Sequence, residues 1–412
     1  MERLKRIDEF EKLAYGLFIH WGLYSLLSQG EWTLNQHKIP PSEYEGLAKT
    51  FTAEHFDGRA LARLAKESGM RYVTLTTRHH DGFSLYDTCG LTDYDAPHSG
   101  AKRDLVAEFV EGCRAEGIVP FFYHTTLDWR HPSFRDDFSG YLEYLRASVE
   151  LLCKNYGRIG GFWFDGNWSR RGEDWQEDKL YAIIRRYQPE AIIVNNTGIG
   201  HCGELGHPEI DSVTYEHGRP TARIFAEGQK YVAGEMCTTM NSHWGEAWCD
   251  FTYKSAKELI ENLAACRRHR ANYLLNVGLS GDGSVPALER EMLGVIRRWI
   301  DLCGDSIYEG MPCGVDGEGV DFGLEYKGEL RLFVHNLHKK GSKNVVTADG
   351  HEGPRIFTGV KGKAVRASWL DSEERLDFMQ DGDKLTLYCT GYPYGRNTAV
   401  RVARIEFEED FT

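Results

Sequence analysis

Residues 159–168 read IGGFWFDGNW. The apolar run Gly161-Phe162-Trp163-Phe164 stops at Asp165 and is broken at once by Gly166. A short apolar run that ends on a turn signal reads as a strand buried on both faces. A carboxylate at the last position of such a strand is costly unless the strand end opens into a polar pocket. An acid set between aromatic walls suits a site that grips a carbohydrate or another amphipathic ligand. Asp-Gly is also an ordinary turn dipeptide, so the plainer reading, in which Asp165 starts a turn or caps a helix, stands until the flanking sequence is read.

Toward the N-terminus, residues 119–125 (VPFFYHT) form another strand-like run and lead to Asp128-Trp129, with a helix predicted near 137–156. A helix over 103–116 carries Leu105, Val106, Phe109, Val110 and Cys113 on one stripe and is capped by Gly117. Residues 72–77 (YVTLTT) are followed by His79-His80-Asp81-Gly82, and a helix over 58–68 precedes them. The first run, 16–22 (GLFIHWG), ends in His20-Trp21, ahead of a loop with Glu31-Trp32 and a Pro40-Pro41 break. Toward the C-terminus, a helix over 175–187 stops before Pro189. Strand-like runs then occupy 191–196, 211–216 and 231–235, with no helix between the first two. Ser255-Ala-Lys-Glu258 is a capping box that opens a helix. Residues 272–278 (NYLLNVG) are the eighth run, and a last helix lies near 286–303.

Eight strand-like runs alternating mostly with helices predict a (β/α)8 barrel, irregular at its fifth and sixth units. Polar residues follow the strands: His20, His79, His80, His124, Asp128, Asp165, Asn195, Asn196, Glu216, Glu235 and Asn276. In a barrel these positions share one rim, where active sites sit. A doubly wound open sheet is the alternative, but no glycine fingerprint follows the first strand. After about residue 308 the pattern changes. Residues 330–334, 384–389 and 403–407 alternate apolar and polar, and Lys327-Gly328, Lys361-Gly362 and Asp381-Gly382 read as hairpin turns. The expected organisation is a catalytic barrel over 1–308 and a small C-terminal antiparallel β-sandwich over 309–412.

Composition narrows the function. The chain has 412 residues, 41% apolar and 27% charged, which fits a soluble globular protein. Its 62 acids outweigh 49 bases for a net charge of −13, which argues against nucleic acid as a partner. The N-terminal MERLKRIDEFEKLAYG has no apolar core for a signal peptide, and no run approaches a membrane span, so no membrane partner is expected. Ten scattered cysteines without a CxxC read as small buried hydrophobes of a reducing compartment, and a cytoplasmic location is expected. The sequence assigns no oligomeric state.

Two carboxylates on one barrel rim are what glycoside hydrolysis needs. Asp165 suits the nucleophile, and Glu216 and Glu235 compete for the acid; either glutamate alone could instead be a buried partner of an arginine. His20, His79, His80 and Asp165 could be imagined around a hydrolytic metal. Adjacent residues of an extended chain point opposite ways, however, and neither HxH nor HExxH occurs. Neutral imidazoles that bind sugar hydroxyls need no such geometry, and Trp21, Trp32, Trp129, Trp163 and Trp168 are available to stack on sugar faces. No GxSxG and no phosphate-cradling loop occurs. A carbohydrate-binding protein that has kept a barrel is a rival from another class; the intact carboxylate pair argues against it.

These residues carry a family resemblance. FIHWGLYS (18–25), EW (31–32), YVTLTTRHHDGF (72–83), KRDLV (102–106), LDWRHP (127–132), GFWFDGNW (161–168), EMCTTMNSHWG (235–245), NYLLNVGLSGDGSVP (272–286) and GDSIYEG (304–310) occur in the family's order. The chain resembles the α-L-fucosidases of glycoside hydrolase family 29. The resemblance implies a barrel with a C-terminal β-sandwich, retaining exo-hydrolysis without a metal or other cofactor, and a fucosylated oligosaccharide or small fucoside as substrate. Asp165 matches the family nucleophile, and DSVTYE matches the segment of the acid/base, which selects Glu216 and leaves Glu235 a structural role. His20, His79 and His80 match sugar-binding histidines, and Glu31 and Trp32 match a pair lining the sugar pocket. Tyr123, His124 and Trp163 complete the expected substrate-binding set. The chain departs from the family at Tyr123-His124-Thr125, where many members have Tyr-Tyr-Ser, and at Asn195-Asn196-Thr197, where some have an arginine. The competing functions are a metal-dependent barrel hydrolase and a glycosidase for another sugar, such as an α-L-galactoside. Thiol titration of the denatured, unreduced protein is expected to count all 10 cysteines as free; several disulfides would contradict the reducing-compartment reading.

Overall fold

The structure is a computed structural model that describes residues 3–225, 227–342, 344–346, 350–409 and 411. Eight strands close into a parallel barrel in chain order: β1 (Tyr15–His20), β2 (Tyr72–Arg78), β3 (Val119–Thr125), β4 (Gly161–Asp165), β5 (Ile192–Asn195), β6 (Ser212–Glu216), β7 (Ala233–Thr239) and β8 (Asn272–Gly278). β8 pairs with β1 to complete the ring. Every residue of β1, β2, β7 and β8 is buried, so these strands show no alternation of buried and exposed positions. The strand period of two still decides which side chains face the interior. Phe18, Tyr72, Phe121, Tyr123, Trp163, Val194, Cys237 and Leu274 meet in one core. Ile7 and Phe10 join it from a helix over Lys5–Leu13, which was not anticipated from sequence. Phe10 packs on Tyr72 and Phe121 with ring centroids 5.8 and 5.7 Å apart and covers the strand starts.

The outer helices start where side chains satisfy their free N–H groups. Asp57, Asp104, Asp137 and Ser255 each accept from a backbone N–H of the first turn, the last as the capping box requires. Gly117 ends the helix Leu105–Glu116 in the left-handed conformation. As expected, no helix lies between β5 and β6; among the described residues none lies between β6 and β7 either.

β7 corrects the sequence reading. It runs on through Met236-Cys237-Thr238-Thr239, so Glu235 lies inside the strand and not at the polar end that the sequence pattern predicts. Thr214 of β6 lies opposite Glu235, and Glu216 lies opposite Cys237. Glu235 is thus two residues, about 7 Å, deeper in the barrel than Glu216.

The β5–β6 seam is the barrel's thinnest joint, with one paired position, Val194↔Ser212. The buried Asp211 carboxylate reinforces it. Oδ2 accepts from the Ile193 N–H at 3.1 Å and Arg185 Nη2 at 2.6 Å, and Oδ1 accepts from Arg6 Nη2 at 3.0 Å and Lys230 Nζ at 3.2 Å. Burial would raise its pKa, but Arg185, Arg6 and Lys230 outweigh burial and hold it below the ordinary aspartate value.

Residue contacts divide the chain into two units, residues 1–254 with 272–293, and residues 255–271 with 294–412. The helix Ala256–Arg268 and most of Ala287–Cys303 therefore group with the C-terminal sheet rather than ending at a border near 308. Trp299 Nε1, which donates to Val400 O at 2.8 Å, and Arg268 Nη2, which meets Asp316 Oδ1 at 2.6 Å, are among the contacts that tie these helices to the sheet.

That sheet has eight strands: β9 (Met311–Gly317), β10 (Phe322–Tyr326), β11 (Glu329–His335), β12 (Gly353–Thr358), β13 (Ala364–Trp369), β14 (Asp377–Asp381), β15 (Lys384–Cys389) and β16 (Val400–Phe407). Its order is β13-β16-β11-β10-β9-β12-β15-β14, antiparallel throughout. Both halves feed one core, with Leu332, Trp369 and Ile405 from one and Phe357, Leu385 and Leu387 from the other. Lys327-Gly328 is the expected two-residue hairpin, at φ 53° and 81°. Asp381 pairs with Lys384, so the next turn is Gly382-Asp383, one residue later than read. Lys361-Gly362 is not a hairpin, because it links β12 to β13, which do not pair. All ten cysteines are free. No helix among the described residues is long and apolar enough to cross a membrane.

Asp211→Ala is expected to cost about 3–5 kcal/mol, the scale for removing one partner of a buried ion cluster. The depressed pKa means that wild-type stability from this group is present above the ordinary aspartate pKa and is lost as pH falls through the lower folded value. Denaturant midpoints at neutral and acidic pH check this; a variant as stable as wild type at neutral pH would refute it.

Candidate active site

The barrel strands end in a cavity of about 510 Å³. His20, Glu31, Trp32, His79, His80, Tyr123, Trp163, Asp165 and Glu216 all line it, as expected from sequence. His124, which the sequence places in the substrate-binding set, does not. Successive strand residues face opposite ways, and Tyr123 takes the inward position. His124 is fully buried on the outer side, where its Nδ1 sits 3.1 Å from Thr77 Oγ1 and its ring lies against Tyr86. Burial and Arg78 push its pKa well below the ordinary value. Trp21 is core as well, stacked on Phe56 with its indole N–H on Ser280 O.

His79 and His80 do share the cavity. The β2–β3 register shifts between Thr76 and Arg78, the strand ends at Arg78, and Gly82 N bonds back to His79 O. The chain turns, and the two rings come within 4.2 Å. His20 is held through Nδ1 by Asn276 Oδ1 at 2.7 Å. Burial lowers His20 to about 3 and His79 well below its ordinary value, so both are neutral imidazoles able to bind hydroxyls. Glu31 Oε2 accepts the backbone N–H groups of Trp244 and Gly245 at 3.0 and 2.8 Å. It thereby fixes the loop that brings Trp244 to the cavity, and burial raises its pKa. Trp32 stacks on Trp168 at 6.0 Å and meets Trp129 edge-on at 4.9 Å, forming an aromatic wall.

Asp165 is surrounded by donors. Trp168 Nε1 lies 2.7 Å and Asn196 Nδ2 3.2 Å from Oδ1; Tyr123 Oη lies 3.0 Å and His80 Nε2 3.4 Å from Oδ2. Burial would raise its pKa, but His80, Trp168 and Tyr123 prevail and lower it. Glu216 has the opposite balance. Burial first, and then the Asp165 charge, raise it to about 7 against the Asn196 hydrogen bond. Neighbouring carboxylates thus differ in protonation near neutral pH, the arrangement that separates an acid from a base or nucleophile.

Glu235 is also at about 7, raised by burial against bonds from Tyr72 Oη at 2.5 Å and Trp163 Nε1 at 2.9 Å, but it does not line the cavity. It is a polar tie inside the barrel. In sequence Asn196 is only a rim residue and Trp168 only a stacking candidate, yet both bond to Asp165. The β4–β5 register pairs Phe164 with Asn195, which sets Asn196 level with Asp165. A larger cavity of about 800 Å³ in the second unit has one lining carboxylate, Asp371, which is bound to Arg401. Among the described residues no group of three or more His, Cys, Asp or Glu is placed to hold a metal ion.

The raised Glu235 pKa has a thermodynamic signature. The folded state keeps a proton that the unfolded chain releases above about 4.5, so this group's contribution falls as pH rises toward 7. Glu235→Gln removes that dependence. Its melting temperature is expected to gain on wild type between pH 5 and 7 with activity retained; a pH-independent difference would refute the assignment.

The family model for α-L-fucosidase matches residues 2–305. The tissue α-L-fucosidase of Rattus norvegicus is 26% identical over 338 residues, which are 75% of this chain and 71% of that one. The plasma α-L-fucosidase of the same species is 28% identical over 332 residues, 73% and 70% of the two chains. Among solved structures, α-L-fucosidase isoenzyme 1 from Paenibacillus thiaminolyticus superposes with a TM-score of 0.83 at 31% identity, over 98% of this chain and 99% of that one. An α-L-fucosidase from Bacteroides thetaiotaomicron shares the fold, with a TM-score of 0.82 at 23% identity over 98% and 95% of the chains. The matched region holds the whole barrel and the cavity carboxylates Asp165 and Glu216, and the chain belongs to the α-L-fucosidase family of glycoside hydrolases.

Proposed function

We propose that this α-L-fucosidase is a retaining exo-enzyme that removes terminal α-L-fucosyl residues by double displacement, with Asp165 as nucleophile and Glu216 as acid/base. One observation carries the stereochemical reading. Asn196 Nδ2 contacts Asp165 Oδ1 at 3.2 Å and Glu216 Oε2 at 2.9 Å. The two oxygens are therefore at most about 6 Å apart, which favours the about 5–5.5 Å spacing of retaining pairs over the wider spacing of inverting ones.

In the first step an Asp165 oxygen attacks the anomeric carbon while the glycosidic C–O bond breaks and the Glu216 proton passes to the leaving oxygen. In the second, Glu216 takes a proton from water as that water attacks the same carbon, and the ester to Asp165 breaks. Neutral His20 and His79 serve as hydroxyl partners, and Trp32 and Trp168 offer an apolar wall to the 6-deoxy methyl. The cavity floor of Phe18 and Trp163 favours a terminal sugar. Ten free cysteines support a cytoplasmic enzyme acting on small fucosides or oligosaccharides.

Asp165→Ala is expected to lower kcat by several orders of magnitude with the fold intact, and azide to restore turnover with β-L-fucosyl azide as product. Near-normal activity, or an α-configured azide, would reject the nucleophile.

Glu216 acts first as an acid, so its protonated form is required and kcat/KM is expected to fall as pH rises through about 7. Glu216→Gln should abolish that limb. It should also slow fucosides of poor leaving groups by about 10²–10⁴-fold while sparing activated phenols. Should Glu235→Gln show this leaving-group dependence and Glu216→Gln lack it, the roles must be exchanged.

A further inference from the structure

The nitrogen that touches both carboxylates belongs to the residue directly after β5. We propose that Asn196 is a positioning residue that divides its two amide hydrogens between Asp165 and Glu216, and that this division fixes which Glu216 oxygen carries the transferable proton. The inference rests on the roles given above to Asp165 and Glu216.

The orientation of the amide follows from its other end. Asn196 Oδ1 lies 3.2 Å from the Gly198 N–H and 3.0 Å from Thr214 Oγ1. A backbone N–H can only donate, so the atom it faces is the oxygen. A flipped amide would set NH₂ against N–H and turn a carbonyl oxygen toward an ionised carboxylate. The NH₂ group therefore faces Asp165 Oδ1 and Glu216 Oε2. Both lone pairs and both hydrogens are used, and the residue is only 4% exposed, so rotation would break bonds that water does not readily replace.

A neutral carboxyl has one O–H and one carbonyl oxygen. Glu216 Oε2 receives an N–H and is thereby the carbonyl oxygen, which places the acid proton on Oε1. The same Oε1 takes the proton from water in the second step, so one oxygen faces the reacting groups in both directions. Both N–H bonds favour the charged carboxylates, and their removal raises the pKa of each. The titratable groups facing Glu216 are Asp165, Glu31, Tyr123, Cys202 and Cys237; His80, His20, Tyr123, Cys237 and Glu216 face Asp165. Variants at Asn196 leave all of them in place.

The test compares kcat/KM–pH profiles of wild type, Asn196→Ala and Asn196→Ser on a 4-nitrophenyl α-L-fucoside and on an α-L-fucoside of an aliphatic alcohol. Serine keeps an oxygen near the Gly198 N–H but is too short to donate to both carboxylates, which provides a second variant should alanine fail to fold. In the variants both limbs are expected to move upward by about one pH unit, with a greater loss on the aliphatic fucoside. Limbs at their wild-type positions with equal losses on both substrates would overturn the proposal and make Asn196 a packing residue. Glu216→Gln separates the two layers. If it removes the basic limb while the Asn196 variants leave both limbs in place, only the positioning role fails; if it keeps the basic limb, the acid/base assignment fails.

Discussion

A carboxylate that stays ionised inside a protein needs donors on its lone pairs, and the rim of this barrel is arranged around that requirement at Asp165. Its four donors come from four places in the chain: Tyr123 within β3, His80 after β2, Trp168 in the turn after β4, and Asn196 after β5. No one segment could supply them. The barrel brings successive strand ends to one level, and period-two alternation aims the side chains inward. The aromatic wall is joined to this cluster, because the Trp168 ring that lies against Trp32 also donates its N–H to Asp165.

Glu216 and Glu235 show how one shift serves two ends. Both are raised to about 7, chiefly by burial. Glu235 is enclosed by Tyr72 and Trp163 two residues below the rim and only ties the interior together. Glu216 lies at the cavity beside the Asp165 charge, so its proton can leave toward a substrate. Depth within the barrel, and not acidity, is what distinguishes the two carboxyls.

The strands were legible because parallel barrel strands are apolar runs punctuated by polar rim residues, and Asp165 closed the clearest of these. The choice of Glu216 came from resemblance, since strand register, which places Glu235 deeper, is not written in local sequence. His124 was misassigned although alternation alone argues against it, for it directly follows the inward Tyr123. His79 and His80 went the other way: the turn after Arg78 overrides alternation, and only the folded register shift reveals it. The role of Asn196 was hidden because an asparagine after a strand is an ordinary turn residue until its neighbours are known. Lys361-Gly362 misled for the same reason, since a turn dipeptide does not say which strands it joins.

The single-position seam between β5 and β6 makes the two carboxylates mechanically unlike. Asp165 ends a strand laddered over several positions to both neighbours, whereas Glu216 ends a strand attached firmly only to β7 and flanked by connections without helices among the described residues. Stiffness follows the density of local packing and pairing. The proposed nucleophile is thus the fixed anvil of the site, and the proposed acid/base sits on its compliant side. That distribution matches the tasks proposed for them, in which one carboxylate meets the same carbon twice, while the other accommodates first a departing sugar or alcohol and then a water molecule.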